Sequence, residues 1–363
     1  MRTTLHALLH GFRRASAPPR PQGPHAALKL GLVADELTSS CLRHECAVVD
    51  LTPSNFRAAL KRNRPDLVFV ESAWNGRRDA WKYGIAAYPS HPTRSNTALR
   101  QLVAQARDLG IPTVFWNKED SVHFERFIDS ASLFETILTV DAGCVPRYRK
   151  VVGSDIRIDA LPFAVQPALH SYSGIDPSRQ GSNFVGSYSR HIHDKRRERQ
   201  DLLLSCAAST LGLTVYDRNS DRRSSEYRYP PLPGLVVQPK VPHEQTAAIY
   251  TRSLVSLNVN TIDDSPTMFS RRLIEIMACG GLAVSTPALS IDRWFRDYCH
   301  TVDTRDEADT LLGRIARDGY SAEDHARMTE GAAYIAREHT YRRRLDALLD
   351  LIARPVAATP PLA

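Results

Sequence analysis

Ser265-Pro266-Thr267-Met268-Phe269-Ser270-Arg271-Arg272-Leu273-Ile274-Glu275-Ile276-Met277-Ala278-Cys279-Gly280-Gly281-Leu282-Ala283-Val284-Ser285 governs how the rest of the chain is read. Ser265 suits a helix N-cap, and Pro266 suits the first helical position, where its missing N–H would go unpaired anyway. Leu273, Ile274, Met277 and Ala278 recur at helical spacing, and the glycine pair supplies a left-handed stop. Leu282-Ala283-Val284 then reads as a short buried strand. Glu275 is the one charge in an apolar turn near the helix end. A buried carboxylate is costly unless its hydrogen-bonding capacity is used, which points to a ligand hydroxyl. An Arg271–Glu275 pair, four residues apart on one helix face, is the alternative.

On either side, short apolar runs alternate with helical stretches. Residues 30–33, 47–50, 67–70, 113–116, 137–140 and 157–161 read as strands, with helices over 55–63, 97–109 and 130–135. A second series has strands at 183–185, 213–216, 235–237, 254–259 and 282–284, with helices over 196–211, 243–252 and 266–279. Helical pattern then runs from 306 to about 352. Such alternation predicts parallel sheets with right-handed crossovers. The Pro/Ser/Gly-rich segment 166–181 is the linker. The expected fold is therefore α/β, with two Rossmann-like domains facing across a cleft and ligands bound at strand carboxyl ends. The first domain spans 28–165, the second 182–325, and 326–363 forms a C-terminal helix and tail. Residues 1–27 read as a disordered basic leader. Leu5, Leu8, Leu9 and Phe12 fit a short amphipathic helix, too weak for a secretory signal and suited at most to peripheral membrane contact.

At 363 residues there is chain for two buried cores. The 42% hydrophobic and 24% charged composition is that of an ordinary globular protein, and no apolar run approaches the ~20 residues of a membrane span. The net charge of +7 is carried mostly by arginine. Either a genome-wide bias replaces Lys by Arg, or a cleft is furnished for phosphate, which Arg grips in a bidentate fork. No aromatic-interleaved basic motif appears, so nucleic acid is not an expected partner. Cys41, Cys46, Cys144, Cys206, Cys279 and Cys299 form no Cys-x-x-Cys or zinc spacing, as expected of reduced, buried thiols in a cytoplasmic protein.

The 265–285 stretch resembles the donor-binding signature of GT-B nucleotide-sugar glycosyltransferases, whose Glu-x-Met-Ala-Cys-Gly segment meets the nucleotide ribose. With Ser270-Arg271-Arg272 upstream, it is most similar to the spore-maturation CgeB/YkvP-like glycosyltransferase family. Residues 66–74, 115–120 and 183–187 resemble further landmarks of that family in the same order, and the likeness runs from about 28 to about 341. Many GT-B enzymes carry a second Glu eight positions before the ribose Glu; Thr267 stands there in this chain. The resemblance implies transfer of a sugar from a nucleotide-diphosphate donor, held by the second domain, to an acceptor hydroxyl held by the first. No cofactor beyond the donor is implied, and without an Asp-x-Asp motif catalysis is expected to be metal-independent. A nucleotide-sugar epimerase or hydrolase and a non-catalytic nucleotide-sugar-binding protein are the alternatives.

Gly186 and Ser187 follow a strand and lead to a basic helix, a place for a diphosphate, with Arg190, Lys195 or Arg196 to neutralise it. A solvated basic helix face is the alternative. Thr267, Met268, Phe269 and Ser270 open the signature helix as a second anion-friendly terminus, with Arg271 or Arg272 reaching phosphate. Asn258 or Asn260 can read a ligand or form a turn. Pro239-Lys240-Val241-Pro242-His243 resembles the family's base-packing loop, which brings in Lys240. In the first domain Glu119, Asp120 and His123 concentrate two carboxylates and a histidine past a strand, as activation of an acceptor hydroxyl requires. Asp120 is the expected base with His123 beside it; a charged helix start is the other reading. Glu71, Trp74 and Asn75 make an acceptor platform, unless Trp74 plugs the core. The remaining histidines show no metal spacing.

Overall fold

Apolar runs of the first half pair side by side in a computed structural model that describes residues 19–354. The helix expected around Leu5, Leu8, Leu9 and Phe12 and most of the C-terminal tail lie outside those residues. The first sheet contains β1 (Lys29–Val33), β2 (Ala47–Asp50), β3 (Leu67–Glu71), β4 (Thr113–Asn117), β5 (Thr136–Thr139) and β6 (Arg157–Ala160), all parallel in the order β2-β1-β3-β4-β5-β6. The second contains β7 (Ser182–Gly186), β8 (Leu213–Asp217), β9 (Leu235–Pro239), β10 (Val255–Asn258), β11 (Ala283–Ser285) and β12 (His300–Thr301), again all parallel, in the order β12-β11-β10-β7-β8-β9. Central strands such as β3, β4 and β7 are buried along their whole length, which is why they read as continuous apolar runs. Each order reverses once, between β1 and β3 and between β7 and β10. Those two carboxyl-terminal crevices are where such sheets bind ligands.

Helices cover the sheets: α1 (Glu36–Leu42), α2 (Phe56–Asn63), α3 (Thr97–Asp108), α4 (Phe124–Ala131) and α5 (Val145–Val152) on the first; α6 (Asp194–Leu211), α7 (Thr246–Arg252), α8 (Arg271–Ala278), α9 (Leu289–Trp294), α10 (Arg305–Asp318) and α11 (Ala322–Glu338) on the second; and α12 (Tyr341–Ala353). None of them is long and apolar enough to cross a membrane among the described residues.

Four sequence expectations are corrected. The helix expected at 266–279 starts only at Arg271, because Ser265 does not cap it. Instead Ser265 Oγ donates to Asp141 Oδ1 (2.6 Å) and accepts from the amides of Thr267 and Met268, which holds 265–270 in an irregular segment. The helix expected at 130–135 lies earlier, as α4. The long helical stretch after 306 is three helices. Gly319 at φ 70° ends α10, Ser321 caps α11 with Asp324 closing the box, and Thr340 caps α12. Finally, residues 22–27 of the expected disordered leader are packed against the domain. Gln22 N–H donates to His44 O (3.0 Å), and His25 Nε2 lies 2.7 Å from Asp346 of α12.

The chain crosses between domains twice, side by side. Val165 of the first crossing accepts from Tyr341 N–H (3.0 Å) and donates to His339 O (2.9 Å) of the second. Arg344 straps both crossings, donating to the carbonyls of Pro162, Phe163 and Glu338. Helix α12 therefore returns to the first domain, where Leu345 and Leu348 pack beside Phe69, Trp116 and Leu161.

Asp324 anchors the α10–α11 corner. It is fully buried and accepts from His300 Nε2 (2.7 Å), from both Nη atoms of Arg314 (2.8 and 3.0 Å) and from Ser321 N–H (2.8 Å). Burial disfavours its charge, but these donors hold its carboxyl well below the ordinary value. Asp324→Asn is expected to destabilise the fold by about 3 kcal/mol, because Arg314 keeps its charge and loses its counter-ion. Since the folded pKa is depressed, this contribution is present above the unfolded value near 3.9 and lost as pH falls below it. Denaturant titrations of both proteins at pH 7 and pH 3 check this: the difference must shrink at the lower pH.

Candidate functional site

At the crevice of the second sheet, three arginines gather around the end of β7. Arg272 donates through Nε to Val185 O and lies with its guanidinium 4.3 Å over the Phe184 ring. A Cβ on Gly186 would come within 2.4 Å of Phe184 and 3.0 Å of Arg272 Nη2, so only glycine permits this approach. Arg196 of α6 donates to Ser187 O (3.3 Å), and Arg218, just past β8, donates its amide to Gly186 O (2.9 Å). Burial and the charges of Arg196 and Arg218 push the Arg272 guanidinium down to about 10, and burial with Arg218 lowers Arg196 as well. Neighbouring Lys195, Arg197, Arg199 and Arg228 are all ion-paired to Asp263, Asp194 or Asp217. Among the described residues no carboxylate pairs with Arg196, Arg218 or Arg272. Three like charges held together without a counter-ion make a site for a multiply charged anion.

Glu275 lies on α8 beside this cluster, only 6% exposed. Its Oε1 accepts from His243 Nε2 (2.8 Å), and Tyr250 OH stands 3.5 Å from Oε2. Burial opposes the charge, but the His243 hydrogen bond and the nearby His170 and Arg271 hold the carboxyl down at about 2. The alternative Arg271–Glu275 pair does not form as a salt bridge; Arg271 lies 4.8 Å over the Phe163 ring, facing the other domain.

Other expected donor residues fall elsewhere. Arg190 is exposed and engages Glu226 only through its backbone. Lys240 is exposed and paired with Asp221, while His243 of the same loop is the residue that reaches Glu275. Phe269 is 1% exposed, packed among Phe163, Trp294, Phe295 and His339. Met268 is partly buried and its carbonyl accepts from Ser290. Ser270 precedes α8 and donates its amide to Asn260 Oδ1 (3.3 Å). Thr267 joins the domains: its Oγ1 donates to Val140 O (2.9 Å) and accepts from Ala142 N–H (2.8 Å). Together with Ser265–Asp141 it closes a clasp between the loop after β5 and the loop before α8.

In the first domain the crevice between β1 and β3 holds a buried network. Lys118 Nζ bridges Asp35 and Glu71 at 2.9 Å each, and Glu71 Oε1 also accepts from Asp35 N–H. Burial works against the Lys118 charge and the two carboxylates restore it, raising its pKa. Glu71 is wholly buried here rather than displayed to an acceptor. Asn75 is exposed, and Trp74 is neither free platform nor core plug. It is half-buried, with its ring edge-on to Tyr88, Phe127 and His123, the last at 5.1 Å.

Asp120 overturns the expectation placed on it. It is 1% exposed, its Oδ1 accepts from Asn117 and its Oδ2 from Thr139 and Tyr148. Burial pushes its carboxyl up to about 7. All three of its hydrogen-bond partners belong to the first domain. His123, at the start of α4, is the half-exposed member of the group. Burial lowers its pKa, with Glu119 opposing and Arg126 adding to the fall. Burial lowers the pKa of His193 of the second domain, and the charges of Arg196 and His123 add to the fall. His193 thus feels charges from both domains, His123 of the first and Arg196 of the second. Arg218 and His170 were not singled out from the sequence, and His243 was read only as the end of the base-packing loop. The one signal for Arg218 was its place immediately after a strand of the second domain.

Residues 191–350 match the family described as Glycosyl transferase-like. No curated protein matches the chain. Among solved structures, it is similar to Anabaena Alr3699/HepE in complex with UDP and glucose (11% identity, 90% of this chain and 91% of that one, TM-score 0.54). It is also similar to sucrose-phosphate synthase from Thermosynechococcus elongatus (12%, 87% and 78%, TM-score 0.53) and to a UDP-forming α,α-trehalose-phosphate synthase from Burkholderia xenovorans in complex with glucose-6-phosphate (13%, 82% and 75%, TM-score 0.51). At these identities the likeness establishes the fold: two parallel sheets in the GT-B arrangement.

Proposed function

We propose that this protein is a glycosyltransferase that moves a hexosyl or related glycosyl group from a nucleoside-diphosphate donor to an acceptor hydroxyl. The observation that carries the reading is the Arg196–Arg218–Arg272 cluster, unmatched by carboxylates at the crevice of the second sheet. The glycosyltransferase-like match over 191–350 and the UDP bound by the Anabaena structure support it. The diphosphate would lie on the three guanidinium groups, with the ribose toward Glu275. The acceptor oxygen attacks the anomeric carbon as its bond to the diphosphate breaks, and the leaving electron pair settles on phosphate oxygens held by the arginines. The acceptor proton passes to His123, with Glu119 stabilising the imidazolium. The Ser265–Asp141 and Thr267–Val140 clasp holds the cleft closed and water out, which limits donor hydrolysis. The finer likeness to the CgeB/YkvP-like family rests on the Ser270-Arg271-Arg272 spelling.

The test is a thermal-shift and calorimetric panel of UDP-, GDP- and dTDP-sugars, followed by product analysis with and without an acceptor library. Absence of binding across the panel overturns the reading; a changed sugar released without transfer indicates epimerisation or hydrolysis instead. Glu275→Gln is expected to weaken nucleotide binding by roughly 1–3 kcal/mol, the range for a hydrogen bond to a charged group. The loss should shrink for a 2′,3′-dideoxy nucleotide. Equal losses for both nucleotides would separate Glu275 from the ribose.

A further inference from the structure

Three donors from distant parts of the chain meet beside α8. His170 comes from the interdomain linker, His243 from the turn before α7 and Glu275 from α8 itself. One ligand atom from each lies within 4.8 Å of the others. His243 Nε2 is 2.8 Å from Glu275 Oε1, and the two imidazole rings are tilted 46° with centroids 4.8 Å apart. His170 is 1% exposed, its Nε2 2.8 Å from Thr246 Oγ1. The Nδ1 atoms of both histidines are buried and have no hydrogen-bond partner among the described residues. Orphaned polar atoms at one buried spot call for an explanation, and a ligand is one.

Two imidazoles and one carboxylate are a donor set suited to zinc, whereas magnesium and calcium favour all-oxygen sets. Tetrahedral zinc with bonds of about 2.0–2.2 Å sets its ligand atoms roughly 3.3–3.6 Å from one another. Starting from 4.8 Å at its widest, the set has to close by roughly an ångström to hold the ion. Burial holds His170 down at about 4, despite the opposing Glu275 charge, and Glu275 is held at about 2. Arg271, whose charge also acts on Glu275, opposes a cation, and the carboxylate offsets it.

We propose that His170, His243 and Glu275 form a zinc-binding site that holds the ion in place of the donor ribose. The site itself stands on the geometry alone; its competition with ribose rests on the donor reading above. With Oε1 on zinc and Oε2 beside Tyr250 OH (3.5 Å), Glu275 is engaged away from the ribose hydroxyls, so the ion acts as a brake on donor binding. It takes no part in the transfer step.

Cobalt(II) titrated into the metal-free full-length protein, followed by visible absorption and displaced by zinc, tests the site. One equivalent should bind with a four-coordinate spectrum and no thiolate charge-transfer band. His170→Ala and His243→Ala should each weaken binding tenfold or more, while His191→Ala, at an exposed histidine, should not. His170→Asn, able to keep the Thr246 hydrogen bond, replaces the alanine variant if thermal unfolding shows that it does not fold. Absence of cobalt binding, unchanged affinity in the His170 and His243 variants, or a thiolate band from nearby Cys279 overturns the site. Competition is read with uridine and guanosine, which lack a chelating diphosphate. Their affinity should fall at least tenfold in saturating zinc. Unchanged affinity overturns the competition and leaves the site standing. A nucleoside that binds neither form overturns the ribose reading and the competition with it, while the cobalt titration still judges the site.

Discussion

His123→Ala is expected to cut turnover by ~10²–10⁴-fold, the usual contribution of a general base, while nucleoside-diphosphate affinity changes little. His123 stands on the first domain and the arginine cluster on the second, so removing the imidazole leaves the donor's contacts in place. Its lowered pKa gives a second readout. A base must be unprotonated, so kcat/KM should rise with pH through a step below the ordinary histidine value of about 6.5 and stay flat through neutrality. Asp120→Asn, by contrast, should keep most of the turnover, because Asp120 is sealed under Thr139 and Tyr148. If Asp120→Asn abolishes turnover with a normal melting temperature and His123→Ala does not, the assignment of the base is reversed.

Arg272→Ala should lower nucleoside-diphosphate affinity by about tenfold to a hundredfold, in line with losing a hydrogen bond to a charged group, and leave the bare nucleoside nearly unaffected. Arg272 is fixed by Val185 O and by the Phe184 face, so its fork is already oriented before ligand arrives. Arg272→Lys keeps the charge but not the fork and should recover only part of the affinity. The wild-type affinity should also fall as salt is raised, since three guanidinium groups act on one anion. Calorimetry with matched nucleoside and nucleoside diphosphate checks all three statements. Equal losses for both ligands in Arg272→Ala would place the diphosphate elsewhere.

The two sheets were legible because parallel strands buried on both faces leave unbroken apolar runs, as in Leu67–Glu71 and Thr113–Asn117. Helix α1 was missed because its sequence Glu36-Leu37-Thr38-Ser39-Ser40-Cys41-Leu42 has weak intrinsic preference and becomes helical through packing. The start of α8 was misread for a local reason. Ser265 has the chemistry of a cap, but a partner far away in sequence, Asp141, takes its hydroxyl. Gly186, Ser187, Arg272 and Glu275 sit at the crevice of the second sheet because strand ends and the signature helix mark that place in one dimension. Asp120 and His123 show the limit. Three residues apart past a strand, one turns under the sheet and the other toward the cleft, and spacing cannot say which. Arg218 and His170 are united with the site only by folding, from segments with no shared motif.

The return of α12 to the first sheet means that this domain is not a contiguous stretch of gene. A fragment ending near residue 165 would leave Phe69, Trp116 and Leu161 without the cover of Leu345 and Leu348, and would expose that apolar surface to self-association. Isolating the domain calls for circular permutation, or for co-expression with a peptide spanning residues 340–354 as a complementing half. The same interleaving ties translation to assembly, since the first domain cannot complete its packing until the residues of α12 have been made.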